Sequence, residues 1–246
     1  MGLGGPMLKY EMVARDIQSK ISRGEYRPNE QLPVMSDLCE TYGVSKITIK
    51  KAMDMLVSRG LIIKRRGSGS FVKNIAVEEI NPPLQDMSRQ LAGFTGEYLD
   101  TGVEVSTIVH EFSVIQATPK VAGRLRVRPE DFVYYICRTR CADGVPQEIE
   151  YTYMPISVVP GLSYEDVQGS IYGYIERTLG LKVYSAHRSI RAVMPTAEEL
   201  TRLKVGRDVP LLEIDQVVYL EDGRLFEYSI CRHVGDRFTF FSISTN

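Results

Sequence analysis

The stretch that most constrains this chain is GVSKITIKKAMDMLVSRGLIIKRRGSGSFV, from Gly43 to Val72. Gly43 can supply the positive φ that a tight inter-helix turn requires, and Ser45 can cap the helix that follows. On that helix Ile49, Ala52, Met53 and Leu56 share one face, while Ile47, Lys50, Lys51 and Asp54 share the other. The first face packs on a small core and the second is free to meet a partner. After Gly60, Leu61-Ile62-Ile63 and Phe71-Val72 read as two short strands joined by a flexible cationic tip, Lys64 to Ser70. A run such as Lys64-Arg65-Arg66 on its own reads as a solvated face. Directly behind a capped, lysine-bearing helix it reads as a wing that can touch the same duplex as the helix.

Upstream, Tyr10, Val13, Ile17 and Ile21 recur at helical spacing and predict a helix over about Tyr10 to Ser22. Leu32-Pro33 marks a turn, and Ser36 is placed to cap a short helix ending at Gly43. Charge divides with this boundary. Through Asn74 there are 13 Lys and Arg against 7 Asp and Glu, and the remainder carries 17 against 24. A basic head on an acidic body suits a nucleic-acid module joined to a domain that avoids nucleic acid. The four cysteines are scattered without zinc-ligand spacing, and no apolar run is long enough to span a membrane. Reduced thiols, a cytoplasmic location, no metal and no cofactor are expected. The leading MGLGGP looks like a cloning remnant ahead of a natural start at Met7.

Residues 32–72, LPVMSDLCETYGVSKITIKKAMDMLVSRGLIIKRRGSGSFV, resemble the GntR family of bacterial transcription regulators in register with the family's winged helix-turn-helix pattern. The resemblance implies DNA contacts from Ser36, Ser45, Lys46, Ile47, Thr48, Lys50 and Lys51, and from Lys64, Arg65, Arg66, Gly67, Ser68 and Gly69 on the wing. Ser36, Lys46 and Lys50 stand where the family commonly has arginine. Lysine reaches guanine acceptors without the planar fork, which weakens base discrimination or points to a different operator. Ile47 replaces a common threonine and either meets a thymine methyl or tucks against Tyr42 or another neighbour.

The expected domains are a winged helix-turn-helix over 7–73, a linker over 74–90 around Asn81-Pro82-Pro83, and an effector and dimerisation domain over 91–246. In the last, strands are expected over Glu104–Ile115, Phe132–Cys141, Gln147–Met154, Lys182–Val193, Leu211–Leu220, Arg224–Arg232 and Phe238–Ile243. Helices are expected over Thr118–Leu125, Ser170–Leu179 and Thr196–Leu203. Tight turns imply an antiparallel sheet with helices packed on it, an α+β class. Segments such as RTRCADGVPQEIEYTYMP, GSIYGYIE and FEYSICRHVGDRFTF are similar to the UTRA effector domain of the HutC subfamily. That resemblance implies a fold like chorismate lyase and a small-metabolite ligand, often a sugar phosphate.

Strand alternation puts Arg138 and Arg140 on one face and Cys137, Thr139 and Cys141 on the other. Two guanidiniums on one face need an anion, and internal salt bridges to Glu148 or Glu150 are the plain alternative. A strict two-residue hairpin at Asp143-Gly144 would set Glu150 opposite Cys137, on the wrong face. A three-residue loop with a bulge would pair Arg138 with Glu148 and return Glu150 to the arginine face. By resemblance, Arg138 and Arg140 hold phosphate with Ser170 and Tyr172, Ser170 lying near a helix start that favours an anion. Glu150 and Glu227 take hydroxyl or amide groups. Gly93, Phe94 and His233 complete the pocket, Gly93 and His233 replacing a common serine and tyrosine.

The function expected is a homodimeric DNA-binding regulator, a repressor by family habit, released from a two-fold operator by a metabolite, with a phosphosugar favoured. The alternatives are a non-phosphorylated effector such as an amino acid, or an enzyme on the chorismate-lyase-like fold. No nucleophile–base–orienter set, metal cluster or P-loop supports catalysis.

Overall fold

The computed structural model describes residues 8–74, 93–98 and 101–240, which form two compact units. The expected linker over 74–90 lies, apart from Asn74, outside the described residues.

The N-terminal unit contains α1 (Lys9–Ser22), α2 (Met35–Tyr42), α3 (Lys46–Ser58), β1 (Ile62–Arg65) and β2 (Gly69–Val72). Its core takes Val13, Ala14, Ile17 and Ile21 from α1, Leu38 from α2, and Ile49, Ala52, Met53 and Leu56 from α3, closed by Leu61, Ile62 and Val72. The apolar stripes predicted for α1 and α3 are therefore the buried ones. Gly43 ends α2 in the left-handed region at φ 60°, and Ser45 caps α3 by accepting the Thr48 N–H at 3.3 Å. Two expectations need correcting. α2 starts at Met35 with Val34 at the cap position, so Ser36 lies within the first turn and donates its hydroxyl to Asp37 Oδ1 at 3.0 Å. The wing tip is shorter than predicted, because Lys64 pairs with Ser70 and Arg65 with Gly69.

The second unit contains α4 (Gly93–Glu97), β3 (Val105–Gln116), α5 (Pro119–Leu125), β4 (Phe132–Ala142), β5 (Val145–Pro155), α6 (Tyr164–Gln168), α7 (Ile171–Arg177), β6 (Val183–Val193), α8 (Ala197–Leu203), β7 (Leu211–Leu220) and β8 (Leu225–Val234). Among the described residues the strands form one antiparallel sheet in the order β3-β4-β5-β8-β7-β6. It consists of two three-stranded meanders, β3-β4-β5 and β6-β7-β8, joined edge to edge where β5 pairs with β8. One face carries Tyr134, Ile136, Met154 and Val218 against Val167, Ile171 and Ile175 of α6 and α7. The other packs Val133, Val217 and Tyr228 on α5, and Cys137, Ile149, Leu211 and Val234 on α8.

The α+β class holds, and side-chain caps at Thr118, Ser170 and Thr196 start α5, α7 and α8 as their positions suggest. The long helix expected over Ser170–Leu179 ends at Arg177, and α6 before it gave no periodic signal. A closing strand at Phe238–Ile243 is not formed by Phe238–Phe240, and the rest of that segment lies outside the described residues. Phe238 instead stacks on His233, ring centroids 3.8 Å apart.

Gly235 passes so close to the start of β7 that a Cβ there would lie 2.5 Å from the Pro210 carbonyl oxygen. Gly235→Ala is expected to cost about 1–3 kcal/mol, the usual penalty for overpacking, measured by denaturant unfolding of the whole protein.

Candidate nucleic-acid interface and ligand site

In the head, the cations that sequence grouped together divide by what they already touch. Lys64 is ion-paired with Asp54, Lys51 lies 5.7 Å from the Tyr10 ring centroid, and Arg65 lies 4.7 Å from that of Phe71. These three help hold helix and wing in place. Lys46, Lys50 and Arg66 are exposed and carry no ion-pair or hydrogen-bond partner among the described residues. Ser45 and Thr48 share a hydroxyl contact of 2.9 Å at the cap. Gly67 and Gly69 shape the tip with φ of 76° and 110°, and the Ser68 carbonyl accepts from Gln31 Nε2 at 2.8 Å. Ile47 does not tuck against Tyr42 or another neighbour, since it is 71 % exposed.

In the second unit, the hairpin takes neither of the two geometries considered. The turn is a two-residue one, Ala142 facing Val145 and Cys141 facing Pro146, but Gln147 is an extra residue on β5. Beyond that bulge Arg140 faces Glu148 and Arg138 faces Glu150. The bulge puts both glutamates on the arginine face. Register then carries the same face across β8 and β7: Glu148 is opposite His233, Glu150 opposite Cys231, Gln216 opposite Ser229, and Val218 opposite Glu227.

The two arginines have different surroundings. Arg138 is ion-paired with Glu150 and donates to the Val167 carbonyl at 2.7 Å. Arg140 is 1 % exposed and has no carboxylate within ion-pair distance among the described residues. It donates through Nη2 to Thr95 Oγ1 at 2.7 Å and through Nη1 to the Gly169 carbonyl at 3.3 Å, and its guanidinium lies 5.0 Å from the Phe94 ring centroid. Its Nε is buried without a hydrogen-bond partner among the described residues. Burial, and then the positive charge of Arg138, lower its pKa from the ordinary arginine value. Salt bridging accounts for Arg138 and leaves Arg140 with hydrogen bonds and ring contact but no ion pair among the described residues.

The other expected residues gather on the same face. Burial raises the pKa of Glu227, which accepts from Ser229 Oγ at 2.6 Å and from Gln216 Nε2 at 3.2 Å. Tyr172 hydrogen-bonds Glu227, and burial together with that carboxylate holds its phenol well above the usual range. Gly93 sits over the Tyr172 ring. Ser170 caps α7, accepting the Gly173 N–H at 3.1 Å, next to the Gly169 carbonyl that meets Arg140. His233 Nδ1 lies 2.7 Å from Glu148 Oε2. Burial pushes Glu148 up and opposes charge on His233, but the Glu148 carboxylate raises His233 overall, so the pair keeps its proton to higher pH.

Sequence reasoning missed Thr95 and Glu97, since a five-residue helix has no readable period. It also missed Gln216 and Ser229, although a glutamine in the apolar strand LLEIDQVVYL was a usable signal. Burial, and then the negative charge of Glu148, push Glu97 up to about 7, against the pull of His233 and Arg188. No group of His, Cys, Asp and Glu suited to a metal ion occurs among the described residues.

This two-part architecture agrees with comparisons to known proteins. Residues 9–72 match the model for bacterial regulatory proteins of the gntR family, and residues 100–239 match the UTRA domain. The chain is 32 % identical over 238 residues to the HTH-type transcriptional regulator GmuR of Bacillus subtilis, covering 97 % of this chain and 99 % of that one. It is 32 % identical over 220 residues, 89 % of each chain, to the mannosyl-D-glycerate transport/metabolism system repressor MngR of Escherichia coli. The crystal structure of the possible transcriptional regulator YydK from Bacillus subtilis superposes with a TM-score of 0.74 at 28 % identity, covering 97 % of this chain and 100 % of that one. The chain belongs to the GntR family of transcription regulators, in the branch that joins the DNA-binding head to a UTRA domain. It is a DNA-binding regulator and not an enzyme.

Two stability tests follow from the site. Arg138→Ala leaves Glu150 buried without its cation and is expected to cost about 3–5 kcal/mol, whereas Arg140→Met, which breaks no ion pair, should stay within about 1 kcal/mol of wild type in denaturant unfolding. A carboxyl with a raised folded pKa favours the folded state fully below its unfolded value, and that contribution is lost as pH rises through the folded value. Glu97 therefore weakens the fold progressively from about pH 4.5 to about 7. Thermal midpoints of Glu97→Gln should fall less than those of wild type across that window.

Proposed function

We propose that this chain is a cytoplasmic, homodimeric repressor that leaves a two-fold operator when a sugar-linked anion binds its second domain, a phosphorylated sugar being the first candidate. The observation that carries this reading is Arg140: a buried guanidinium with an unpartnered Nε and no carboxylate of its own. A buried charge of this kind gains most from an anion that pairs with it and fills its free donor. Glu227, Tyr172 and Gln216 lie on the same sheet face and can orient hydroxyl groups. The name of MngR, which refers to a sugar derivative, fits such a ligand.

On the DNA side, Lys46, Lys50 and Arg66 supply the salt-sensitive phosphate and base contacts, with Ser36, Ser45, Thr48 and the wing glycines close to the backbone. Lys51, Lys64 and Arg65 act mainly by holding helix and wing in register. For ligand to release DNA, it must favour the state with weaker DNA affinity.

The test combines thermal denaturation with DNA titration. Wild type and Arg140→Met are screened against phosphorylated sugars, their unphosphorylated forms and amino acids, using a duplex selected from a random pool. A phosphosugar should raise the wild-type midpoint and weaken DNA binding at least tenfold, with both effects lost in Arg140→Met. An unphosphorylated sugar or amino acid that acts equally on both proteins overturns the anion reading.

A further inference from the structure

A lone exposed aliphatic side chain on a protein surface ordinarily carries no message. Ile47 differs by position and by what surrounds it. It is the second residue of α3, on the face that the core leaves open, and at 71 % it has the greatest exposure of the large apolar residues among those described. The other first-turn groups are limited in what they can read. Ser45 and Thr48 engage each other and the Thr48 N–H, and Lys46 and Lys50 offer only ammonium donors. Three residues apart on a helix, Ile47 and Lys50 lie side by side.

A sec-butyl group can neither donate to nor accept from a base edge. In the major groove its favourable partner is the one apolar group displayed there, the C5-methyl of thymine. Placed against a phosphate or a polar base edge, it would displace water without replacing the lost hydrogen bonds. We infer that Ile47 reads the 5-methyl group of a thymine in each half-site of the operator. This rests on the DNA-binding reading of α3, and it makes Ile47 a specificity-determining residue where the two lysines supply attraction without a fork.

The test uses the full-length protein. Duplexes are selected from a random-sequence pool by wild type, each thymine of the enriched half-site is then replaced by deoxyuridine, and affinities are titrated for wild type and Ile47→Ala. Deoxyuridine differs from thymidine only by the methyl. The inference expects one thymine per half-site whose replacement weakens wild type about fourfold, the value of one buried methyl-sized group, and leaves Ile47→Ala unchanged. Ile47 contributes nothing to the core, so Ile47→Ala should keep its thermal midpoint. The inference is overturned if no thymine in the enriched site responds, or if the response persists undiminished in Ile47→Ala. Failure to enrich any sequence would instead remove the DNA-binding reading beneath it.

Discussion

One extra residue on β5 decides which side chains meet on the polar face of the second domain's sheet. Without Gln147 as a bulge, Glu148 and Glu150 would point to the face of Cys137, away from Arg138 and Arg140. With the bulge, Glu150 meets Arg138 and Glu148 meets His233. The polar face is a consequence of register, and Arg140 remains on it without an ion pair among the described residues, since Glu148 opposite it is held by His233.

How much of this was legible in the sequence depended on the range of the signal. The cap at Ser45 and the helices beginning near Thr118 and Thr196 were local patterns of spacing and side-chain chemistry, and they stand where expected. The shared face of Arg138 and Arg140 followed from alternation alone. The position of Glu150 did not, because one extra residue in the strand reverses the face of everything beyond it and alternation cannot locate that residue. α4, which brings Thr95 and Phe94 to Arg140, was hidden for a related reason: at five residues it is held by contacts with the sheet, not by its own periodicity. Ser36 shows the reverse error, a good capping residue passed over because the chain entered the helix earlier, at Val34.

In the head, the cations differ in what they touch within the unit. A helix and wing rich in lysine and arginine look uniformly poised for phosphate, yet Lys51, Lys64 and Arg65 are engaged within the unit by Tyr10, Asp54 and Phe71. Ion pairs at this exposure contribute little stability. Their effect is to orient: the Lys64–Asp54 pair links β1 to α3, so wing and recognition helix present their free cations in a fixed relation.

The join between β5 and β8 carries a kinetic consequence. Each meander is assembled from strands that follow one another closely, whereas Glu148 and His233 are far apart in sequence. Non-local pairing of this kind is slow to form. The polar groups are divided across that seam, Arg138, Arg140 and Glu150 on one half and Glu227, Ser229 and His233 on the other. Neither half holds the site alone. A molecule bound across that seam would bridge both meanders and, by binding only the folded state, would oppose their separation.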